Sequence, residues 1–111
     1  MSKTKADQIA EKIKKTRYSK ESDFQKDVIS YLKAKGCLVI KHQAAPGVPT
    51  GCADLSFYKD GFYGFLELKL RKNSSHQPGQ DAFISKVNDW SYGKFLWPER
   101  FSELEEDLWD L

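Results

Sequence analysis

Two acidic residues and a lysine flank a turn signal in the middle of this chain. The dipeptide Asp60-Gly61 favours a two-residue β-hairpin turn, and apolar residues recur on both sides of it. With these two residues as the turn, residues that face each other across the hairpin have numbers that add up to 121. Asp54 then faces Glu67, and Lys69 projects on the same side because side chains alternate along a strand.

Facing carboxylates repel each other, so this pair requires a compensating positive charge. A hard cation such as Mg²⁺ supplies it, because such ions bind carboxylate, carbonyl, water and phosphate oxygens. The backbone carbonyl of Leu68, between Glu67 and Lys69, is a further candidate ligand. There are two alternatives: Lys69 neutralises one acid in a surface charge cluster, or a three-residue loop shifts the register and separates the acids.

Two further polar residues are predicted to point inward at helix starts. Glu21 precedes Phe24 by three residues, and Gln80 precedes Ile84 by four, so each heads the apolar side of its helix. Inward polar groups need partners, and a helix N-terminus favours anions. Both are therefore candidate site residues, with local capping as the alternative role.

Hydrophobic periodicity and turn residues place the elements that position these side chains. Helices are predicted at about 22–35, 78–90 and 99–109, strands at about 37–41, 53–59, 62–70 and 93–97, and a loop at 44–52. The first strand is expected to be buried. A capping box of Ser22 and Gln25 is expected at the first helix, and Pro78 at the first position of the second. Trp90 is expected in the buried stripe of that second helix.

The order of these elements is helix, three strands, helix, strand, helix. It predicts an α/β fold class with a mixed central sheet of about four strands flanked by helices. The length of 111 residues gives room for one domain. We divide it into a basic N-terminal arm or helix at 1–18 and a single domain at 19–111 that ends in an acidic helix at about 99–109.

Charge is distributed unevenly along the chain. Residues 1–20 carry seven Lys or Arg against two acids, whereas residues 98–111 carry one Arg against six acids. Basic segments attract polyanions such as nucleic acids. Charged helices also keep many proteins soluble, so charge alone does not identify the partner.

Several features predict the compartment. No apolar run reaches the about 20 residues that a membrane helix needs, and the polar start lacks the apolar core of a secretory signal. Cys37 and Cys52 lack the spacing of a metal site, so two reduced thiols are expected. A cytoplasmic protein without a membrane partner is the expectation.

The candidate residues occur in the order Glu21, Gly51-Cys52-Ala53-Asp54, Glu67-Leu68-Lys69 and Pro78-Gly79-Gln80. This order resembles the PD-(D/E)XK nuclease superfamily, and within it most closely the VRR-NUC family, which includes small stand-alone viral nucleases. The resemblance covers about residues 19–97. One departure is that the family usually has Pro immediately before the catalytic Asp, where this chain has Ala53.

The resemblance implies a restriction-endonuclease-like core and a metal-dependent DNA endonuclease that leaves a 5′-phosphate. Asp54 and Glu67 are then ligands of one or two Mg²⁺ or Mn²⁺ ions, and Glu21 contributes directly or through water. Lys69 is expected to position the attacking water or to stabilise the transition state. Gln80 is expected to support Lys69 or that water.

The resemblance also implies how DNA is bound. Lys41, Arg71 and Lys72 are expected to contact backbone phosphates, and His76 is a further candidate for a phosphate contact. His42 and His76 both flank the site in the sequence, and for each of these lone histidines an ordinary loop or strand-end role is the favoured alternative.

Relatives of this kind act on branched DNA such as Holliday junctions, typically as homodimers, and some are viral proteins that act in a host cell. Candidate interface residues are Tyr58, Tyr63, Phe65 and Tyr92, with the C-terminal helix as the other option. Two alternatives are a nuclease for flaps, single strands or duplex DNA, and a non-catalytic nucleic-acid-binding or protein-binding module with a nuclease-like fold.

Overall fold

The helices and strands follow the predicted order. The computed structural model describes residues 3–43 and 51–109, so most of the predicted loop 44–52 lies outside the described residues. The helices are α1 Lys5–Lys15, α2 Glu21–Ala34, α3 Gln80–Trp90 and α4 Phe101–Trp109, and a short 3-10 helix at Pro98–Arg100 precedes α4. The strands are β1 Leu38–Lys41, β2 Leu55–Lys59, β3 Phe62–Leu68 and β4 Gly93–Leu96.

The hairpin of β2 and β3 has the predicted turn. Asp60 and Gly61 have φ angles of 51° and 83°, as a type I′ turn requires at both central positions. The pairing of Leu55 with Leu66 confirms the predicted register. Gly64 faces Phe57 in this register, and a Cβ at Gly64 would lie 2.5 Å from the Phe57 ring, so glycine makes room for that ring.

The four strands form one mixed sheet in the order β1-β2-β3-β4. β1 and β2 are antiparallel, β2 and β3 are antiparallel, and β3 and β4 are parallel, joined through α3. The prediction of a mixed α/β fold with about four strands is therefore confirmed. The start of β2 lies at the same end of the sheet as the ends of β3 and β4.

The hydrophobic core lies between the sheet and helices α1, α2 and α4. α1 begins with a capping box of Thr4 and Asp7, and its buried Ala10 and Ile13 belong to the core cluster. Lys14 of α1 also forms an ion pair with Glu105 of α4. Within the segment 1–18, residues 5–15 are thus a packed helix rather than a loose arm.

Two helix starts differ from the prediction. Lys20 occupies the N-cap of α2 without a side-chain cap bond, so the expected capping box of Ser22 and Gln25 is wrong. α3 begins at Gln80, after Gly79 in the left-handed conformation, and not at Pro78. The turn at Gly79 packs closely on Gly51, where a Cβ would lie 2.4 Å from the Gly79 carbonyl carbon.

Two burial predictions are also wrong. β1 is an edge strand, and Leu38 and Ile40 are exposed by 63% and 42%. Trp90 is exposed by 66%, because α3 ends at this residue and no other element covers it among the described residues. None of the helices in the described ranges is both long and apolar enough to cross a membrane.

Candidate active site

Three carboxylates meet at the end of the sheet where β2 begins and β3 ends. Glu21 is the first residue of α2, Asp54 immediately precedes β2, and Glu67 is the penultimate residue of β3. One oxygen from each of the three side chains lies within 4.8 Å of the others. The predicted convergence of Asp54 and Glu67 is confirmed, and Glu21 joins them as expected.

Asp54 is fixed by the backbone of β3. Its Oδ2 atom accepts a hydrogen bond of 2.8 Å from the N–H of Leu68. The N–H and C=O of one strand residue point toward the same neighbouring strand. The Leu68 carbonyl therefore lies on the Asp54 side of β3, as its predicted role as an oxygen ligand requires.

Glu67 is buried in an environment that disfavours its charge. The residue is 3% exposed, and its Oε1 atom has no hydrogen-bond partner among the described residues. Burial raises the pKa of Glu67 to about 8, and the Asp54 charge acts in the same direction. Burial and the Asp54 charge also raise the pKa of Glu21. The three carboxyl groups carry more negative charge than their protein neighbours compensate.

Lys69 supplies a single positive charge beside this group. Its Nζ atom lies 3.6 Å from Oε2 of Glu67 and donates hydrogen bonds of 2.9 Å to the Ser75 carbonyl and to Oε1 of Gln80. Gln80 is itself buried, and its Oε1 also accepts from the Gln77 N–H at 2.8 Å. Gln80 thus holds Lys69 in place.

Lys69 and Glu67 are not part of a surface charge cluster, because both side chains are buried. The side chains of Lys69 and Glu67 are only 8% and 4% exposed, whereas surface pairs keep both charges in water. The alternative of a shifted register fails on the strand pairing.

His42 is a neighbour of the site for which the sequence predicted only a loop or strand-end role. Its N–H donates a 2.7 Å bond to the Asp54 carbonyl, so it continues the β1–β2 ladder beside Asp54. Its Nε2 atom lies 2.8 Å from Oγ of Ser56, and the Tyr58 hydroxyl donates to the same Oγ at 3.1 Å. The imidazole is therefore oriented by the completely buried Ser56 on the sheet face that carries Asp54.

No protein-family model, curated protein or solved structure matches this chain. The interpretation of the site therefore depends on its geometry and chemistry.

The predicted phosphate contacts fall into two groups. Lys41 ends β1 and Lys72 follows β3, and both residues are exposed and accessible to a ligand. Arg71 is half-buried, and its guanidinium donates to the carbonyls of Leu70 and Tyr18 at 2.8 and 2.9 Å. Arg71 thus has a structural role in the chain, and its other guanidinium N–H groups are left to contact a ligand.

His76 is linked to the site through Phe95. Its ring stacks on Phe95 with centroids 4.2 Å apart, and Phe95 pairs with Glu67 across β3 and β4. Its Nδ1 atom lies 2.8 Å from Oδ1 of Asp81. His76 is exposed, and one of its ring nitrogens already has a protein partner, so the phosphate contact stays a prediction.

The residues predicted for a dimer interface have partners within the chain. Phe65 packs edge-on against Phe83 with ring centroids 5.2 Å apart. The Tyr92 hydroxyl donates a 2.6 Å bond to Asp107, and its ring lies against Phe57. Both aromatic residues therefore contribute to the packing of the chain itself.

Proposed function

We propose that this protein is a metal-dependent nuclease that hydrolyses phosphodiester bonds in DNA. The observation that carries the proposal is the convergence of Glu21, Asp54 and Glu67 within 4.8 Å beside the buried Lys69. Three carboxylates and one lysine leave a local excess of negative charge. A bound divalent cation would offset it, and the cation and Lys69 together would attract a phosphate group.

The donor set fits a hard divalent cation. Asp54, Glu67 and the Leu68 carbonyl would hold Mg²⁺ or Mn²⁺, with Glu21 as a direct or water-mediated ligand, since these ions prefer oxygen. The unpartnered Oε1 of Glu67 is a buried acceptor that such an ion would satisfy. When bound, the ion lowers the pKa of a water molecule and polarises the phosphate.

Lys69 contributes transition-state stabilisation from the protein's own side chains. Two of its three N–H donors are directed at the Ser75 carbonyl and Gln80, so the ammonium group is held without rotational freedom. Its Nζ atom lies 3.6 Å from Oε2 of Glu67, so its charge would stabilise the negative charge that develops on a phosphate held at the carboxylates. A preorganised donor of this kind stabilises the transition state more than the ground state.

The fold supports membership of the PD-(D/E)XK superfamily as part of the same proposal. The order α2-β1-β2-β3-α3-β4 with an antiparallel hairpin and a parallel fourth strand is the arrangement expected of a restriction-endonuclease-like core. Ala53 takes the place of the usual Pro, and it is buried next to Asp54 without displacing the carboxylate from the cluster.

The test is cleavage of labelled DNA with Mg²⁺ or Mn²⁺, using four-way junctions, flaps, single strands and linear duplex. Wild-type protein should cleave and leave 5′-phosphates, and Glu67→Gln should lose at least about 100-fold in rate while it still binds DNA. Glu103→Gln is the matched control, because Glu103 is an exposed glutamate next to another lysine. Absence of cleavage with either metal, or equal rates for Glu67→Gln and wild type, would contradict the proposal.

The same substrate panel tests the finer proposal of a homodimer that prefers branched DNA. A two-fold dimer suits a two-fold junction. Preference for the junction over linear duplex, together with a dimeric mass in solution, is the expected result. Preference for flaps or single strands would assign the alternative substrate class to the same active site.

A further inference from the structure

A positively charged cavity of about 210 Å³ lies between the end of α1 and the segment that follows β3. Its walls come from the end of α1, the α1–α2 connection, the segment after β3 and the 3-10 helix before α4. Four cationic residues line it, against the single acid Glu99: Lys14, Lys15, Arg17 and Arg71.

The charge of this cavity is only partly neutralised by protein groups. Lys14 pairs with Glu105, but neither Lys15 nor Arg17 takes part in an ion pair within residues 3–43 and 51–109. Lys15 lies in the last turn of α1, where the helix dipole favours cations. Arg17 and Arg71 lie outside the helices, so a helix dipole does not account for the presence of these two cations.

Arg71 is preorganised for an anion. Its guanidinium is anchored on two carbonyls, those of Leu70 and Tyr18, and its backbone N–H donates a 3.0 Å bond to Ser74 Oγ. Neither carbonyl carries a charge, and an arginine side chain has five N–H donors. The positive charge and the remaining donors are therefore available, and phosphate is the ligand whose geometry a guanidinium matches.

Two of the residues that line the cavity are close in sequence to residues of the candidate active site. Arg71 follows Lys69 by two residues, and Tyr18 precedes Glu21 by three. The bond between Arg71 and the Tyr18 carbonyl ties these segments together. Each pair of sequence neighbours is separated by at most three residues of chain, which span about 11 Å at most, so one polyanion is long enough to contact both places.

We propose that the cavity binds a backbone phosphate of the DNA substrate near the phosphate that is cleaved. The proposal depends on the proposed nuclease function for the identity of the polyanion. It assigns a role in substrate binding to α1 and to Arg17, which lie outside the part of the chain that resembles the nuclease family. Such a contact gives affinity and position without reading the base sequence.

The test is DNA binding by the full chain carrying Glu67→Gln, so that cleavage does not interfere. Fluorescence anisotropy is measured with labelled duplex and junction DNA between about 50 and 200 mM salt. The added pair Lys15→Gln and Arg17→Gln should weaken binding about tenfold and make the slope of log K against log salt shallower by about two. These residues are chosen because both are exposed, so the fold should tolerate the changes.

The matched control is Lys5→Gln with Lys33→Gln, two exposed lysines that line a separate cavity between α1 and α2. It removes the same charge and should leave binding within about twofold of the parent. Equal weakening by the control pair, or unchanged binding by the cavity pair, would overturn the proposal. The rise in Tm with inorganic phosphate is compared between the parent and the cavity pair. If the cavity pair loses this rise but binds DNA with unchanged affinity, the cavity is a site for free phosphate and the proposal is overturned.

Cleavage assays separate this proposal from the nuclease proposal. In the otherwise wild-type chain, the cavity pair should raise KM for DNA and leave kcat within about twofold, as expected for loss of uniform binding. If the wild type cleaves and KM is unchanged by the pair, the cavity proposal fails alone. If the wild type does not cleave but the pair weakens DNA binding, the nuclease proposal fails alone.

Discussion

Two lysines of this protein each contact carboxylates, at the middle and at the edge of the sheet. Lys69 in the middle lies 3.6 Å from Glu67, and these side chains are 8% and 4% exposed. Lys94 on the edge strand β4 lies 3.3 Å from Glu103 and 3.2 Å from Asp107, and the two acids are 51% and 37% exposed. The distances alone do not distinguish a functional group from an ordinary surface ion pair.

The pKa values of the carboxyl groups shift in opposite directions in the two groups. At the edge, burial acts against ionisation, but hydrogen bonds from Lys94 and Tyr92 lower the pKa of Glu103 and Asp107 respectively. In the middle, burial and Asp54 raise the pKa of Glu67 to about 8 despite Lys69. The edge group is balanced by its own partners. The carboxylates of the middle group are not balanced by Lys69 alone, and this difference is the physical argument for a bound cation there.

Removal of the two lysines should give the largest contrast. Lys69→Met should reduce the single-turnover rate of DNA cleavage about 100- to 1000-fold, because a preorganised charge at the reacting phosphate is lost. Lys94→Met should leave the rate within about twofold, as expected for a surface ion pair. Similar rates for the two variants would remove the distinction between the groups.

Gln80 should show a smaller effect through the position of Lys69. Gln80→Ala removes an acceptor of Lys69 and should lower kcat about 10- to 100-fold with little change in KM, as positioning residues do. Gln80→Glu keeps an acceptor oxygen and should retain more activity than Gln80→Ala. Equal loss in both variants would show that Gln80 acts in some other way than by holding Lys69.

Divalent cations should stabilise only the middle group. At a hundredfold excess over Kd, Mg²⁺ or Mn²⁺ should raise the unfolding free energy by about 2.7 kcal/mol, measured as a rise in Tm. Asp54→Asn should abolish the rise, because the amide still accepts from the Leu68 N–H but carries no charge. Asp107→Asn in the edge group should keep it. A rise that persists in Asp54→Asn would place the ion elsewhere.

The metal-free protein should show the smallest effect, in the pH dependence of its stability. A carboxyl whose pKa is higher in the folded than in the unfolded state binds its proton more tightly when folded. The contribution of Glu67 is therefore complete below its ordinary pKa of 4.5 and is lost as pH rises to about 8.

Thermal unfolding in a chelator between pH 5 and 9 measures this loss. Tm should fall across the range in the wild type and fall less in Glu67→Gln, which has no charge to bury. Glu103→Gln should run parallel to the wild type, since the lowered pKa of Glu103 makes its contribution change only in acid. A profile for Glu67→Gln that is parallel to the wild type would contradict the charge imbalance at the middle group.

The hairpin could be predicted from the sequence because its determinants are local. Asp60 and Gly61 adopt the positive φ angles of the turn, and a two-residue turn determines every opposed pair along the strands. The meeting of Asp54 and Glu67 followed from that register alone. The burial of Gln80 followed from helical spacing, which is also local, whereas Glu21 reaches the carboxylate cluster but stays exposed rather than pointing inward.

Features set by distant contacts could not be predicted. His42 lies beside Asp54, but the long connection between β1 and β2 hides the register of these strands. α3 starts two residues later than predicted, after Gly79, which packs closely on Gly51, a residue far from it in sequence. The cavity beside Arg71 depends on the docking of α1, whose thin apolar stripe did not distinguish a packed helix from a basic arm.

The central claim is that Glu21, Asp54 and Glu67 form a divalent-cation site. Anomalous diffraction from crystals grown with Mn²⁺ tests it most directly, since the ion is located independently of any activity. A peak within about 2.0–2.3 Å of oxygens of Asp54 and Glu67 is the predicted result. Crystals in which Mn²⁺ binds Glu103 and Asp107, or in which the three carboxylates bind none, would contradict the account.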